Sequence, residues 1–68
     1  MITIFGATWC NYCMKAKELC EEKNIPYEYI DVDEMEEPDE RVNPAKSIPQ
    51  IYDGDIFIGG YTELRDTL

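Results

Sequence analysis

The chain reads as an α/β domain built on a four-stranded mixed sheet, and three features of its 68 residues carry that reading. Across the first half the apolar spacing passes from strand-like to a period of three and four and back to two, which gives strand, helix, strand. In the second half an Asp-Gly pair separates two alternating runs, the signature of a hairpin. A short helical pattern then follows Gly59-Gly60. The summed order is β-α-β, a short irregular or helical link, a β-hairpin and α, which fits helices packed on a single sheet.

Each element has its own warrant. Ile2-Thr3-Ile4-Phe5 is a β-branched and aromatic run that ends at Gly6, a strand followed by a turn. From Tyr12 to Lys23 the apolar positions Tyr12, Cys13, Ala16, Leu19 and Cys20 recur at helical spacing, with Lys15, Lys17, Glu18, Glu21 and Glu22 on the other side. Asn24 is the expected stop, and Pro26 ends the turn. Tyr27 to Val32 alternates with period two, and a helix crossing between two strands makes them parallel neighbours with a right-handed connection. The run Asp33 to Pro44 is acidic and interrupted by Pro38 and Pro44, so a turn and at most a short helix are expected there. Pro49 to Tyr52 and Asp55 to Ile58 flank Asp53-Gly54, a turn expected to place both residues at positive φ. Thr62 to Leu68 closes the chain as a helix, with Leu64 and Leu68 one turn apart.

Composition narrows the function. Six basic and fifteen acidic residues give a net charge of −9, and the length suits one domain spanning residues 1–68. A domain of this size hides only about 60% of its unfolded surface, so modest stability is expected. The acidity argues against nucleic acid and favours partners with basic docking faces, although carboxylates also simply keep a small protein soluble. Neither a basic leader nor an apolar stretch of membrane-spanning length is visible, so a cytosolic location off the membrane is expected. In that reducing compartment a Cys-x-x-Cys pair reads as catalytic or metal-binding, because structural disulfides rarely persist there.

Cys10 and Cys13 form such a pair, directly after the first strand and directly before the helical pattern. At a helix start the unpaired N–H groups and the aligned peptide dipoles favour negative charge, so a thiol there ionises more readily than a free one. Cys10 is therefore the expected nucleophile. Cys13, nearly one turn later on the same face, is within reach of a disulfide and is the expected resolving thiol. Attack by a Cys10 thiolate gives a mixed disulfide, and Cys13 then displaces the bound thiol. A self-contained zinc site wants four ligands, and three cysteines without a histidine do not supply them, so no metal site is expected. Cys20 falls on the apolar helix face as a small core residue, the alternative being a regulatory disulfide.

Four motifs in order, Cys10-Asn11-Tyr12-Cys13, Ser47-Ile48-Pro49-Gln50, the Asp53-Gly54 turn and Ile58-Gly59-Gly60, make the chain resemble a dithiol glutaredoxin, a small member of the thioredoxin-like fold. The ending Gly60-Tyr61-Thr62-Glu63-Leu64-Arg65 is also similar to virus-encoded glutaredoxins that supply electrons to ribonucleotide reductase. The resemblance implies a monomeric thiol-disulfide oxidoreductase with no tightly bound cofactor and glutathione as co-substrate. Its substrates would be protein disulfides or glutathione mixed disulfides, ribonucleotide reductase among them.

It further implies that Tyr12, Ile48, Pro49, Gly60, Tyr61 and Thr62 contact glutathione, with a cis peptide before Pro49 and the γ-glutamyl carboxylate held after Gly60. The plain alternatives are packing for Tyr12, an edge-strand start for Pro49 and a helix cap for Thr62. Ala7 stands where many glutaredoxins carry a lysine, and Tyr61-Thr62-Glu63 where many carry a cysteine and two aspartates. Lys15, Arg41 and Lys46 are candidates to compensate for the lost cation. Trp9 resembles the tryptophan that precedes the thioredoxin active site and is expected to cover the cysteines. Ala7 and Trp9 also suit a second reading, an electron donor recharged by thioredoxin reductase, and a third is an iron–sulfur carrier using Cys10.

Overall fold

The computed structural model describes residues 1–68 and contains six elements: β1 (Ile2–Gly6), α1 (Asn11–Glu22), β2 (Tyr27–Asp31), β3 (Gln50–Asp53), β4 (Ile56–Gly59) and α2 (Tyr61–Thr67). The strands form one mixed sheet in the order β2-β1-β3-β4. β1 runs parallel to β2 and antiparallel to β3, and β3 pairs antiparallel with β4. This is the thioredoxin-like architecture, with the expected elements in the expected order. No helix is long and apolar enough to cross a membrane.

All five residues of β1 are buried because both faces of this central strand are covered. Ile2 and Ile4 face the helices and share a core with Ala16 and Cys20 of α1, Ile51 of β3 and Leu64 of α2. Thr3 and Phe5 point to the opposite face by the period-two alternation of a strand. There Phe5 meets Tyr52 edge-on at 6.0 Å, and the Arg41 guanidinium lies over both rings at 5.0 and 5.8 Å. The acidic segment around Arg41 forms turns and no helix. It covers this face through polar contacts: the Tyr52 hydroxyl donates to the Arg41 carbonyl, and Gln50 Nε2 donates to the Asn43 carbonyl at 2.7 Å.

The hairpin turn differs from the sequence expectation. The hairpin pairs Asp53 with Ile56, so its two loop residues are Gly54 and Asp55 rather than Asp53 and Gly54. Only Gly54 takes a positive φ, +62°, the pattern of a turn with glycine in its first central position. Helix α1 stops where expected: Asn24 adopts φ 56°, its N–H bonds to the Glu21 carbonyl and the Ile25 N–H to the Cys20 carbonyl, a Schellman closure.

Candidate active site

Cys10 is the N-cap of α1, in extended backbone at φ −94° and ψ 112°. A serine or aspartate would cap such a helix with oxygen, whereas here sulfur takes that place: Cys10 Sγ accepts the Cys13 N–H at 3.3 Å. The same sulfur faces the Ile48 carbonyl oxygen at 3.9 Å. It is 9% exposed. Cys13 is fully buried on the inner side of the helix, and both thiols are free. Burial, followed by the hydrogen bond with Cys10, pushes the Cys13 thiol up to about 12.

Ala7, Cys10 and Cys13 make a small cluster against which Met14, Tyr29 and Ile48 pack. Tyr29, absent from the sequence-derived site, reaches it from β2: its hydroxyl donates to the Ala7 carbonyl at 3.0 Å. Gly6 leaves the room for this approach. A Cβ there would stand 2.5 Å from the Tyr29 hydroxyl and 2.9 Å from Cys13 Sγ, closer than real side chains come. The alternation in Tyr27-Glu28-Tyr29 placed Tyr29 on a sheet face, but nothing in the sequence says which loop its hydroxyl meets.

Beside Cys10 opens a groove of about 200 Å³ whose walls include Tyr12, Ile48, Pro49, Gly60, Tyr61 and Thr62, all six residues expected to contact glutathione. The Ile48–Pro49 peptide is cis, as the resemblance implied. The tyrosine rings of Tyr12 and Tyr61 lie 6.1 Å apart at one side. Ser47 and Glu63 complete the lining, and a larger hollow of about 420 Å³ continues past Gly60 toward Lys46, Gln50 and Phe57.

Four expectations are corrected. Tyr12 is 58% exposed and belongs to the groove rather than to the helix's packed face, because the first turn of α1 meets Tyr61 of α2 instead of the central core. Trp9 does not cover the cysteines: it is 69% exposed, and its indole N–H donates to Asp33 at 2.7 Å. Thr62 is not the cap of α2, since Gly60 holds that place and Glu63 reaches back to accept the Gly60 N–H at 2.7 Å. Glu63 supplies one half of a capping box, and glycine at the cap has no side chain to supply the other. Arg41 is no substitute for the cation missing at Ala7, because it is engaged with Asp39, Thr3 and the Gly54 carbonyl on the far face of the sheet. Of the other two candidates, Lys15 lies over the Tyr12 ring at 5.1 Å and Lys46 over Phe57 at 5.5 Å.

A family model described as glutaredoxin matches residues 2–58. The chain belongs to the glutaredoxin family. Glutaredoxin 1 of Rickettsia felis is 39% identical over 70 residues, an alignment covering 96% of this chain and 69% of the relative. Among solved structures, glutaredoxin 1 of Francisella tularensis in complex with cacodylate is 33% identical, covers 97% of this chain and 88% of its own, and superposes with a TM-score of 0.71. A buckwheat glutaredoxin–glutathione complex shares the fold at a TM-score of 0.78 and 19% identity, over 97% of this chain and 66% of that one. Membership makes this glutaredoxin a thiol oxidoreductase. Cys20, its third cysteine, lies in the main core with Ile4 and Leu64, apart from the Cys10–Cys13 cluster.

Proposed function

We propose that this glutaredoxin reduces protein disulfides and glutathione mixed disulfides through Cys10 and Cys13 and is recharged by glutathione. The observation that carries the reading is the Cys10 sulfur, held at a helix start by the Cys13 N–H and set against the carbonyl of Ile48, a residue that lines the groove. In the proposed reaction the thiolate form of this sulfur is the species that attacks disulfides. The Cys10 thiolate forms a bond to one substrate sulfur, and the other leaves as a thiolate that takes up a proton. Cys13 then attacks the Cys10 sulfur, closing an internal disulfide and releasing the second substrate thiol. Two glutathione thiols return the pair to the dithiol and leave as glutathione disulfide, so electrons and protons balance.

Glutathione fits the groove by chemistry. Pro49 and Ile48 offer backbone beside the sulfur, Tyr12 and Tyr61 offer ring faces, and the α2 start offers N–H groups at Tyr61 and Thr62. The buckwheat complex supports the assignment by its shared fold and its bound tripeptide. The proposed setting is a single-domain monomer in the cytosol acting on disulfide-bearing proteins, ribonucleotide reductase among the candidates. No tightly bound cofactor enters the scheme.

One observation favours thioredoxin reductase as the electron source instead. Glu63 places a carboxylate on the Gly60 N–H, and Ala7 supplies no cation, so the groove is poorer in positive charge than glutathione's two carboxylates prefer. A single assay separates the two: reduction of one model disulfide with glutathione plus glutathione reductase, and in parallel with thioredoxin reductase. Turnover with the first supports the proposal, and turnover with the second alone overturns it.

A further inference from the structure

Resolution of a mixed disulfide needs the Cys13 sulfur to carry negative charge inside a buried pocket. Cys13 is fully buried, and the chain contains no histidine to take its proton. The titratable groups facing it are few: Cys10 from the start of α1, Tyr29 from β2 and, behind Tyr29, Asp31 of the same strand. From β1 and its following turn it meets Gly6 and the Ala7 backbone, and Met14 and Ile48 pack against the same cluster. Of these only Tyr29 brings an uncharged O–H donor.

We propose that Tyr29 is a positioning residue for the resolving step, its hydroxyl turning from the Ala7 carbonyl to donate a hydrogen bond to the Cys13 sulfur as that sulfur attacks Cys10. The inference rests on the reading of Cys13 as the resolving thiol. The Tyr29 oxygen and Cys13 Sγ both face the space above Gly6, 2.5 and 2.9 Å from one point there, so they are neighbours while the hydroxyl's own hydrogen bond goes to the Ala7 carbonyl. The donor can be redirected locally, because hydroxyl hydrogens turn to suit their acceptor. The Ala7 carbonyl is not orphaned when the hydroxyl leaves, for it also accepts the Cys10 N–H at 3.3 Å. Burial and the neighbouring cysteines push the phenol up to about 12, so it remains a donor through the neutral range.

In the step itself Cys13 loses its proton to solvent or to the departing thiolate, a sulfur–sulfur bond forms to Cys10, and the bond from Cys10 to the substrate breaks. Tyr29 neither gains nor loses a proton. Its contribution is to lower the cost of the buried anion, an effect that a hydrogen bond to the charged form produces and that a merely structural contact does not.

Tyr29→Phe keeps the ring and removes the donor. In a Cys10→Ser background, where Cys13 is the only thiol of the pair, alkylation of Cys13 across pH is expected to shift to higher pH and to slow by about three- to tenfold at neutral pH. With Cys10 intact, closure of the internal disulfide from a preformed Cys10–glutathione adduct should slow by a similar factor. Alkylation of Cys10 in a Cys13→Ser background should be unchanged. Coincident Cys13 pH profiles with and without the hydroxyl overturn the proposal, as does an equal slowing at Cys10, which marks general disturbance of the site. Retained turnover in Cys10→Ser itself is the separate outcome that sinks the proposed function, and the Cys13 profile still reads Tyr29 in that case.

Discussion

Two residues separate Cys10 from Cys13, yet the first keeps some exposure beside Ile48 of the groove wall and the second is fully buried. On the proposed mechanism that difference in access divides the labour, since only Cys10 meets an incoming disulfide. Cys10→Ser is therefore expected to reduce turnover of every substrate to background. Cys13→Ser should retain reduction of glutathione mixed disulfides, where a second glutathione can resolve the adduct, and lose reduction that needs the internal disulfide. Equal residual activity of the two variants on both substrate types would contradict the division. Gly6 governs how near the buried sulfur and Tyr29 come to the strand. A methyl group there meets two side chains at once, Tyr29 and Cys13, and overpacking of this kind costs about 1–3 kcal/mol. Gly6→Ala should lower the urea midpoint accordingly and slow closure of the internal disulfide, and a variant as stable and as fast as the parent would show that the pocket yields freely.

At the scale of elements the segment from residue 32 to residue 49 stands out, because it lies against the sheet with turns and no regular element. Arg41 holds those turns. Its guanidinium pairs with Asp39 at 3.0 Å, donates to the Gly54 carbonyl at 3.2 Å, and lies on Phe5 and Tyr52. A planar cation that stacks and forks in this way is not replaced by an ammonium. Arg41→Ala is expected to destabilise the protein by about 2 kcal/mol and Arg41→Lys to recover less than half of that, from cation–π and charge-assisted bonds each worth about 1 kcal/mol. Urea unfolding measures both, and a lysine variant equal to the parent would contradict the argument. The prolines at 38 and 44 made the absence of a long helix legible in the sequence, and local period and capping did the same for α1, its stop at Asn24 and the strands. The partners of Arg41, Tyr29 and Trp9 were not legible. Trp9 meets Asp33 over 24 positions, Tyr29 meets Ala7 over 22 and Arg41 meets Thr3 over 38, so these contacts depend on the closed sheet rather than on local pattern. The groove lay between these extremes: its residues came from family motifs, and only the fold brought Tyr12 and Ile48 to face Gly60 and Thr62.

For the whole molecule the buried acids and the net charge of −9 act in the same direction as pH rises. Cys13 moves from an ordinary thiol value of 9.0 up to about 12, and Tyr29 from 10.0 up to about 12, both led by burial. Each folded-state value lies above its unfolded one, so between about pH 9 and pH 12 the unfolded chain has released protons that the native one keeps. Fewer protons on the unfolded state means that stability falls as pH rises, by up to about 1.4 kcal/mol per pH unit for each group fully inside its window. On the acid side Arg41 holds the Asp39 carboxyl below its usual range, so that contribution is complete at neutral pH and fades as pH drops through the carboxylate region. The urea midpoint of the reduced protein should therefore be flat near neutrality and decline steeply above about pH 9. Self-repulsion of an acidic chain predicts a decline as well, but one that salt suppresses. Burial predicts a decline that survives high salt and becomes shallower in Cys13→Ser and in Tyr29→Phe. A slope abolished by salt and indifferent to both substitutions would assign the effect to surface charge and remove the buried thiol and phenol from the account.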